Sequence, residues 1–354
     1  MRWAGFDDTM IPSVSEKQEE EDMARNIDGI INKFRYVVET HRLDKEGAYA
    51  RWLWQGGRRP RRLGLNEYGC ADAANILYTI GDFVSEPEKR ASWIEVLQSL
   101  QNPETGLFTE ETHHPIHTTA HCTAALELFD AKPRYPMYDL LKYRDKDTLY
   151  DLLENLTWET NAWDASHEGA GIFAALSLGG HVDLQWKTWY FDWLWEHADG
   201  ERGFWKKDCQ HKCPPVYYMA GGFHYLFNYE YAKMPIPNPE KIIDVCLDLY
   251  WSGKMGSSFP NHIDFTQVDW VFCITRASRQ TPHRFYECKD ALRHMAKIYL
   301  DYLEAIDEKT DDGFNDLHAL FGAVCCVAEL QTALPGELLS EKPMRLVLDR
   351  RPFI

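Results

Sequence analysis

This sequence has no long apolar runs, few basic residues and no visible secretory signal. Nowhere do about 18 apolar residues follow one another without charge, the minimum for a helix that crosses a bilayer. Residues 1–21 have neither a basic start followed by an apolar stretch nor a small-residue cleavage site. Lys and Arg number 38 against 55 Asp and Glu, so the formal net charge is −17. We therefore expect a cytoplasmic protein with neither nucleic-acid nor membrane partners.

A disulfide framework is not indicated either. The nine cysteines are an odd number and are scattered along the chain, which favours reduced, mostly buried thiols. Residues 209–213, CQHKC, contain two cysteines with three residues between them. A zinc site needs a second pair of ligands, so these two cysteines make up only half of one. We interpret this segment as a loop.

What the sequence does have is an excess of aromatic side chains. Its 13 Trp, 18 Tyr and 17 Phe make up 14% of 354 residues, more than a core needs. Such an excess is typical of pockets for sugars or other ring-shaped ligands.

A degenerate repeat runs through the chain. A turn that reads Gly-x-aromatic, or close to it, recurs at intervals of roughly 40 to 60 residues, which leaves room for two helices and two loops. The six turns are residues 47–49, 106–108, 161–163, 203–205, 257–259 and 312–314.

Each turn separates two kinds of predicted helix. The helix before the turn is amphipathic and is expected on the outside, at residues 24–38, 89–100, 146–156, 184–195, 240–251 and 286–306. The helix after the turn has more small residues and less charge and is expected inside, at residues 68–83, 117–129, 167–178, 216–229, 265–277 and 317–334. Six of each kind predict an all-α fold, an (α/α)6 toroid of six helical hairpins. A large irregular helical domain is the alternative.

We divide the chain into three segments. Residues 1–23 form an acidic N-terminal extension, residues 24–340 the toroidal catalytic domain, and residues 341–354 a C-terminal tail. Pro-rich stretches such as residues 233–239 are interpreted as hairpin connections rather than domain linkers.

Two segments resemble repeats of known toroidal proteins. Residues 100–108, LQNPETGLF, resemble the Gln-to-Gly-aromatic turn of terpene cyclases and protein prenyltransferase β-subunits, and residues 117–126, HTTAHCTAAL, are similar to their inner helices. Six-hairpin glycosidases, related polysaccharide lyases and sugar epimerases share this architecture. The resemblance implies the fold over most of the chain, and it leaves sugar and isoprenoid chemistry open as activities.

The acidic motifs of terpene cyclases are missing. Neither an Asp-x-Asp-Asp run nor an Asp-Asp-x-x-Asp run occurs, since Asp311 and Asp312 are followed by GFND. We therefore rank isoprenoid chemistry below sugar chemistry.

Polar residues are concentrated where the inner helices are predicted to begin. Parallel inner helices would bring their unpaired N–H groups to one pocket, which suits an anionic ligand. Asp164, Glu168, Asp264 and Asp316 lie at such positions and are the candidate catalytic carboxylates, with Asp164 and Glu168 preferred as acid and base. Four residues apart, these two would share a helix face and raise each other's pKa. Helix capping is the alternative role for Asp164 and Asp264.

Other side chains at these positions are expected to bind the substrate. Flat rings stack on the apolar faces of sugars, whereas imidazoles and carboxylates bind their hydroxyl groups. The predicted binding residues are Glu67, Asp72, His117, His121, Trp163, His167, Tyr217, Tyr218, His262 and Trp270.

Four histidines lie close together at His113, His114, His117 and His121. His117 and His121 are four residues apart, so on a helix both side chains could bind one zinc ion. However, no Glu follows the first histidine as it does in the zinc motif of metalloproteases. We favour imidazoles that bind substrate or pack in the core, and predict no metal and no cofactor.

A basic loop stands out in this acidic chain at residues 58–62, RRPRR. One of its arginines could pair with a uronate or sulfate group of the substrate. The favoured interpretation is contact with an acidic face of a neighbouring subunit, which leaves a homo-oligomer open.

The residues thus predict a carbohydrate-active enzyme. The favoured activity is that of a glycoside hydrolase that cleaves small oligosaccharides, with uronate-containing ones among the candidates, by means of a pair of carboxylates. A polysaccharide lyase or sugar epimerase stays open because the histidines offer a base. A terpene cyclase or prenyltransferase-like enzyme with an aromatic isoprenoid funnel is the further alternative, and a non-enzymatic scaffold the last.

Overall fold

The computed structural model describes residues 24–57, 60–210 and 212–353. The extension predicted for residues 1–23 lies outside the described residues, as do Arg58 and Arg59 of the basic loop and His211 of the CQHKC segment. The described chain is predominantly helical, as predicted. Its two strands are only two residues long, and β1 (Arg25–Asn26) pairs in parallel with β2 (Leu338–Leu339).

Two kinds of helix alternate along the chain. The amphipathic helices are α1 (Asp28–Thr40), α3 (Pro87–Ser99), α5 (Lys146–Glu154), α7 (Leu184–Glu196), α9 (Pro239–Trp251) and α11 (Phe285–Ala305). The helices rich in small residues are α2 (Glu67–Thr79), α4 (Pro115–Leu128), α6 (Trp158–Gly179), α8 (Pro215–Ala232), α10 (Thr266–Ser278) and α13 (Leu317–Ala333). Shorter helices are α12 (Asp312–Asn315), α14 (Val347–Arg350) and a 3-10 helix (Tyr138–Arg144).

The two kinds differ in burial. Helix α1 buries one stripe that contains Ile30, Phe34 and Val37, whereas α13 buries residues all around its axis. Small residues permit this close packing. A Cβ added at Gly221 of α8 would lie 2.6 Å from the carbonyl oxygen of Ala162 in α6.

The inner helices contact one another in sequence. Helix α2 packs on α4, α4 on α6, α6 on α8, α8 on α10 and α10 on α13, and α13 in turn packs on α2. This helix packing is compatible with a helical toroid. The amphipathic helices lie against the inner ones, as α3 does on α4 and α9 on α10.

The repeated turns have a physical cause. Gly47, Gly106 and Gly203 all have positive φ values, of 88°, 75° and 90°, in the left-handed region that favours glycine. The third and sixth predicted turns differ. Residues 161–163 lie inside α6, where Asn161 has non-helical angles of φ −150° and ψ 78° and makes a kink. Residues 312–314 lie in the short helix α12.

The C-terminal segment packs across the inner helices. Asp349 pairs with Arg276 at 2.7 Å and with Arg279 at 3.1 Å, both from the end of α10. Arg350 pairs with Glu127 at the end of α4. Phe353 is completely buried.

The nine cysteines are all free, and seven of them are buried. Among the described residues, no helix has both the length and the apolar character needed to cross a membrane.

Candidate functional site

Six imidazoles meet between the inner helices. This histidine cluster consists of His113, His117, His121, His167, His224 and His318, from α4 and the loop before it, α6, α8 and α13. Neighbouring ring centroids lie close together, for example 4.8 Å between His113 and His117 and 5.4 Å between His121 and His318. Every member except His113 is buried.

Three of these rings form what we call the imidazole triad, His117, His167 and His224. Each has a potential ligand nitrogen within 4.8 Å of the other two. The ring centroids are separated by 4.4 Å from His117 to His167, 4.8 Å from His167 to His224, and 6.2 Å from His117 to His224.

Hydrogen bonds orient two rings of the triad. The Ser166 hydroxyl donates to the Trp163 carbonyl at 2.5 Å, so its oxygen accepts from Nδ1–H of His224 at 2.9 Å. The lone pair of His224 is therefore on Nε2. On the other side, Nδ1 of His117 lies 2.6 Å from the Tyr68 hydroxyl.

The triad is uncharged at neutral pH. Burial lowers the pKa of His117 and of His167 well below 6.5, and that of His224 to about 3, with further lowering by the other imidazoles. No carboxylate of the described chain lies among the three rings to favour their protonated form.

A buried carboxylate orients the other side of the cluster. Asp72 lies 2.7 Å from Nε2 of His121 and 3.1 Å from Nδ1 of His318. Burial acts to raise the pKa of Asp72, but His318 and His121 outweigh it and keep that pKa well below its usual range. Burial lowers the pKa of His121 to about 4. Asp72 is thus an anion that accepts hydrogen bonds from two imidazoles.

An ion pair between Arg51 and Asp316 also packs against the cluster. Arg51 binds Asp316 with two hydrogen bonds of 2.9 and 3.1 Å, and its guanidinium lies 4.9 Å from the centre of the Tyr68 ring. Asp316 also accepts from the backbone N–H of His318 at 3.0 Å and so caps α13. In this structure Asp316 holds Arg51 and the start of α13 in place.

The predicted acid and base lie on a neighbouring face of α6. Trp163 and His167 face the cluster, with 5.7 Å between their ring centroids. Asp164 and Glu168 instead line a surface groove of about 430 Å³, which we call the rim groove, together with Lys142, Tyr143 and Asp151. Glu168 also lies 3.6 Å from Nε2 of His114.

Asp264 and His262 form a separate pair near the start of α10. Their side chains are 2.7 Å apart, and Asp264 accepts from the backbone of Thr266 at 2.8 Å. Burial acts to lower the pKa of His262, but the Asp264 carboxylate outweighs it and raises that pKa.

The remaining predicted binding residues are dispersed. Tyr217 is 41% exposed and lies parallel to the Trp163 ring at 6.1 Å. Tyr218 is buried near Asp199, and the buried Glu67 pairs with Arg62.

Trp270 lies in the core. It is completely buried, donates to the carbonyl of Cys246 at 2.8 Å and stacks on Tyr250. The structure therefore brings His117, His121, His167 and Asp72 together at the cluster and places Asp164 and Glu168 beside it.

Three residues other than histidines also line the cluster and are not predicted from the sequence. Tyr68 is four residues before Asp72 on a predicted inner helix, a spacing that could have identified it. Arg51 comes from an irregular loop, and Phe353 from the C-terminal segment. Neither position carries a periodic signal in the sequence.

Comparison of the chain with protein-family models, with curated proteins and with solved structures finds no match in any of the three. The site is therefore interpreted from its own chemistry.

Proposed function

We propose that the chain folds as an (α/α)6 toroid and that it is a carbohydrate-active enzyme, a glycoside hydrolase whose substrate lies in the rim groove. The sequence of contacts from α2 to α13 and back to α2 supports the toroid. The nine free cysteines support a reducing compartment such as the cytoplasm.

One observation carries the proposed activity: Asp164 and Glu168, one helical turn apart, line the same groove. At about 430 Å³, the groove is in the size range of small-molecule sites. Glycosidic cleavage needs one carboxylic acid to protonate the leaving oxygen and a second carboxylate to act as base or nucleophile. The ring of Tyr143 offers a flat surface for a sugar, and Lys142 a cation for a uronate carboxylate.

Elimination or epimerisation is the second candidate. It is favoured by the Tyr68 side chain. The Tyr68 hydroxyl lies 2.6 Å from Nδ1 of His117, and the Arg51 guanidinium packs on the Tyr68 ring. Such reactions need a base beside a group that neutralises the substrate's charge. We rank this candidate second because Tyr68 is completely buried and His117 is 2% exposed, so that a sugar ring cannot reach either.

Turnover of a panel of uronate-containing and neutral oligosaccharides, followed by NMR of the products, tests the proposal. We expect Asp164→Asn and Glu168→Gln each to lower kcat by roughly 100- to 10,000-fold with little change in melting temperature. The matched control is Glu159→Gln, on the same helix but outside the groove, which should keep full activity. An unsaturated product, or full activity in both groove variants, would refute the hydrolase proposal.

A further inference from the structure

We propose that the imidazole triad of His117, His167 and His224 binds one divalent transition-metal ion, of the class of Zn²⁺, with a water molecule as its fourth ligand. This inference does not depend on the proposed glycosidase activity, since the triad and the rim groove lie on different faces of α6.

The donor set suits such an ion. Three neutral imidazoles are the ligands of one known class of catalytic zinc site, in which the fourth position stays open. Rings that remain uncharged keep the lone pairs that a metal needs, whereas ordinary histidines compete with protons below about pH 6.5.

The spacing of the rings is close to what a tetrahedral ion requires. With metal–nitrogen distances of about 2.0–2.1 Å, the ring centroids of two imidazole ligands lie about 5 Å apart. The three observed separations are 4.4, 4.8 and 6.2 Å. Small rotations of the rings would bring the three nitrogens onto one ion.

Outer contacts prepare the ligands in the way common to metal sites. A ligating histidine ordinarily donates its other N–H group to an oxygen, which fixes the tautomer. His224 donates to Ser166 at 2.9 Å, and Nδ1 of His117 faces the Tyr68 hydroxyl. His167 has no hydrogen bond to any residue in the described ranges, so it is free to turn toward an ion.

The surroundings close one side of the triad. The buried Phe353 ring packs 4.7 Å from His117 and 6.3 Å from His224. Two less buried rings, His113 and Trp163, lie on other sides at 4.8 and 5.7 Å from triad members.

The neighbouring set of Asp72, His121 and His318 also has residue types that bind metal ions, but its ligand atoms already bind one another. Its potential ligand atoms also lie within 4.8 Å of one another. They are already joined by hydrogen bonds of 2.7 and 3.1 Å to the carboxylate. This set therefore stabilises itself without an ion.

Metal analysis of the full chain, together with Co²⁺ titration, tests the site. We expect one Zn²⁺ per chain after dialysis against zinc and removal of the excess, and visible absorption bands typical of tetrahedral Co²⁺ after exchange. His167→Ala should weaken Zn²⁺ binding by at least about 100-fold and abolish the bands. The apo form of this variant should melt below apo wild type, because loss of the buried His167 ring leaves a cavity, so metal binding is compared at a temperature where both proteins are folded.

Two control variants locate the ion. His181→Ala, outside the cluster, should bind the metal as wild type does, and His318→Asn should retain tetrahedral Co²⁺ bands. The proposal is overturned if wild type binds less than a tenth of an equivalent of Zn²⁺ and shows no Co²⁺ bands. Loss of the metal in His318→Asn but not in His167→Ala would overturn it as well. If His167→Ala fails to fold, His224→Gln replaces it with the same expectations.

Discussion

Single residues explain the unusual chemistry of this core. Imidazoles occupy positions where an inner helix ordinarily has aliphatic side chains, and burial makes their protonated form costly. Asp72 lies directly beside His121 and His318, and the buried Glu110 carboxylate lies 3.7 Å from Nδ1 of His113. The cluster thus packs imidazoles against two buried carboxylates.

This arrangement predicts that the protein loses stability in mild acid. Burial lowers the pKa of His113 and His121 to about 4 and of His224 to about 3, whereas the unfolded chain titrates near 6.5. Below about pH 6.5 the unfolded chain therefore takes up protons that the folded chain does not, and the free energy of unfolding falls. Each such histidine contributes up to about 1.4 kcal/mol per pH unit.

Urea unfolding of the metal-free protein at about pH 7.5, 6.5 and 5.5 measures this effect. The stability should be greatest at the highest of these values and fall with pH, and less steeply in His224→Gln. An unchanged free energy of unfolding across the three conditions would contradict the burial of neutral imidazoles.

At the scale of the helices, the site depends on the close approach of α8 to α6. Gly221 lets α8 touch α6, and these two helices carry His224 and His167. Gly221→Ala should therefore cost about 1–3 kcal/mol of stability, because its methyl group would meet the Ala162 backbone. Chemical denaturation measures the loss.

Gly29→Ala is the matched control for this substitution. Gly29 lies on α1 with no atom within 4 Å of an added Cβ, so alanine should stabilise the helix by up to about 1 kcal/mol. Equal effects of the two substitutions would contradict the packing described here.

Helix periodicity was the strongest signal in the sequence. It predicts outer helices at residues 240–251 and 184–195, and α9 and α7 begin and end within one residue of these limits. The start of α6 was not predictable, since its kink at Asn161 depends on packing. His117 and His121 could be placed in the pocket because they lie at a helix start, whereas Phe353 could not, because its place depends on the path of the C-terminal segment.

At the scale of the whole molecule, the C-terminal segment joins distant parts of the chain. Phe353 packs on His117 of α4, His224 of α8 and the ring of Phe227. Phe353→Ala should destabilise the fold by about 3–5 kcal/mol, because it opens a cavity beside the triad. Thermal unfolding measures the change.

Leu339→Ala is the control for this effect. Leu339 is a large apolar residue near the same end of the chain, but it is 47% exposed and should change stability by less than about 0.5 kcal/mol. A loss below about 1 kcal/mol in Phe353→Ala would contradict a buried C-terminal segment.

The most direct test of the proposed function is a thermal-shift screen of the purified protein against mono- and oligosaccharides, uronates included, with farnesyl and geranylgeranyl diphosphate alongside. A ligand at 100 times its dissociation constant stabilises a protein by about 2.7 kcal/mol, which a melting curve resolves. We predict that a sugar raises the melting temperature and still does so in Asp164→Asn. A shift with prenyl diphosphates alone, or with no compound of the panel, would contradict the account.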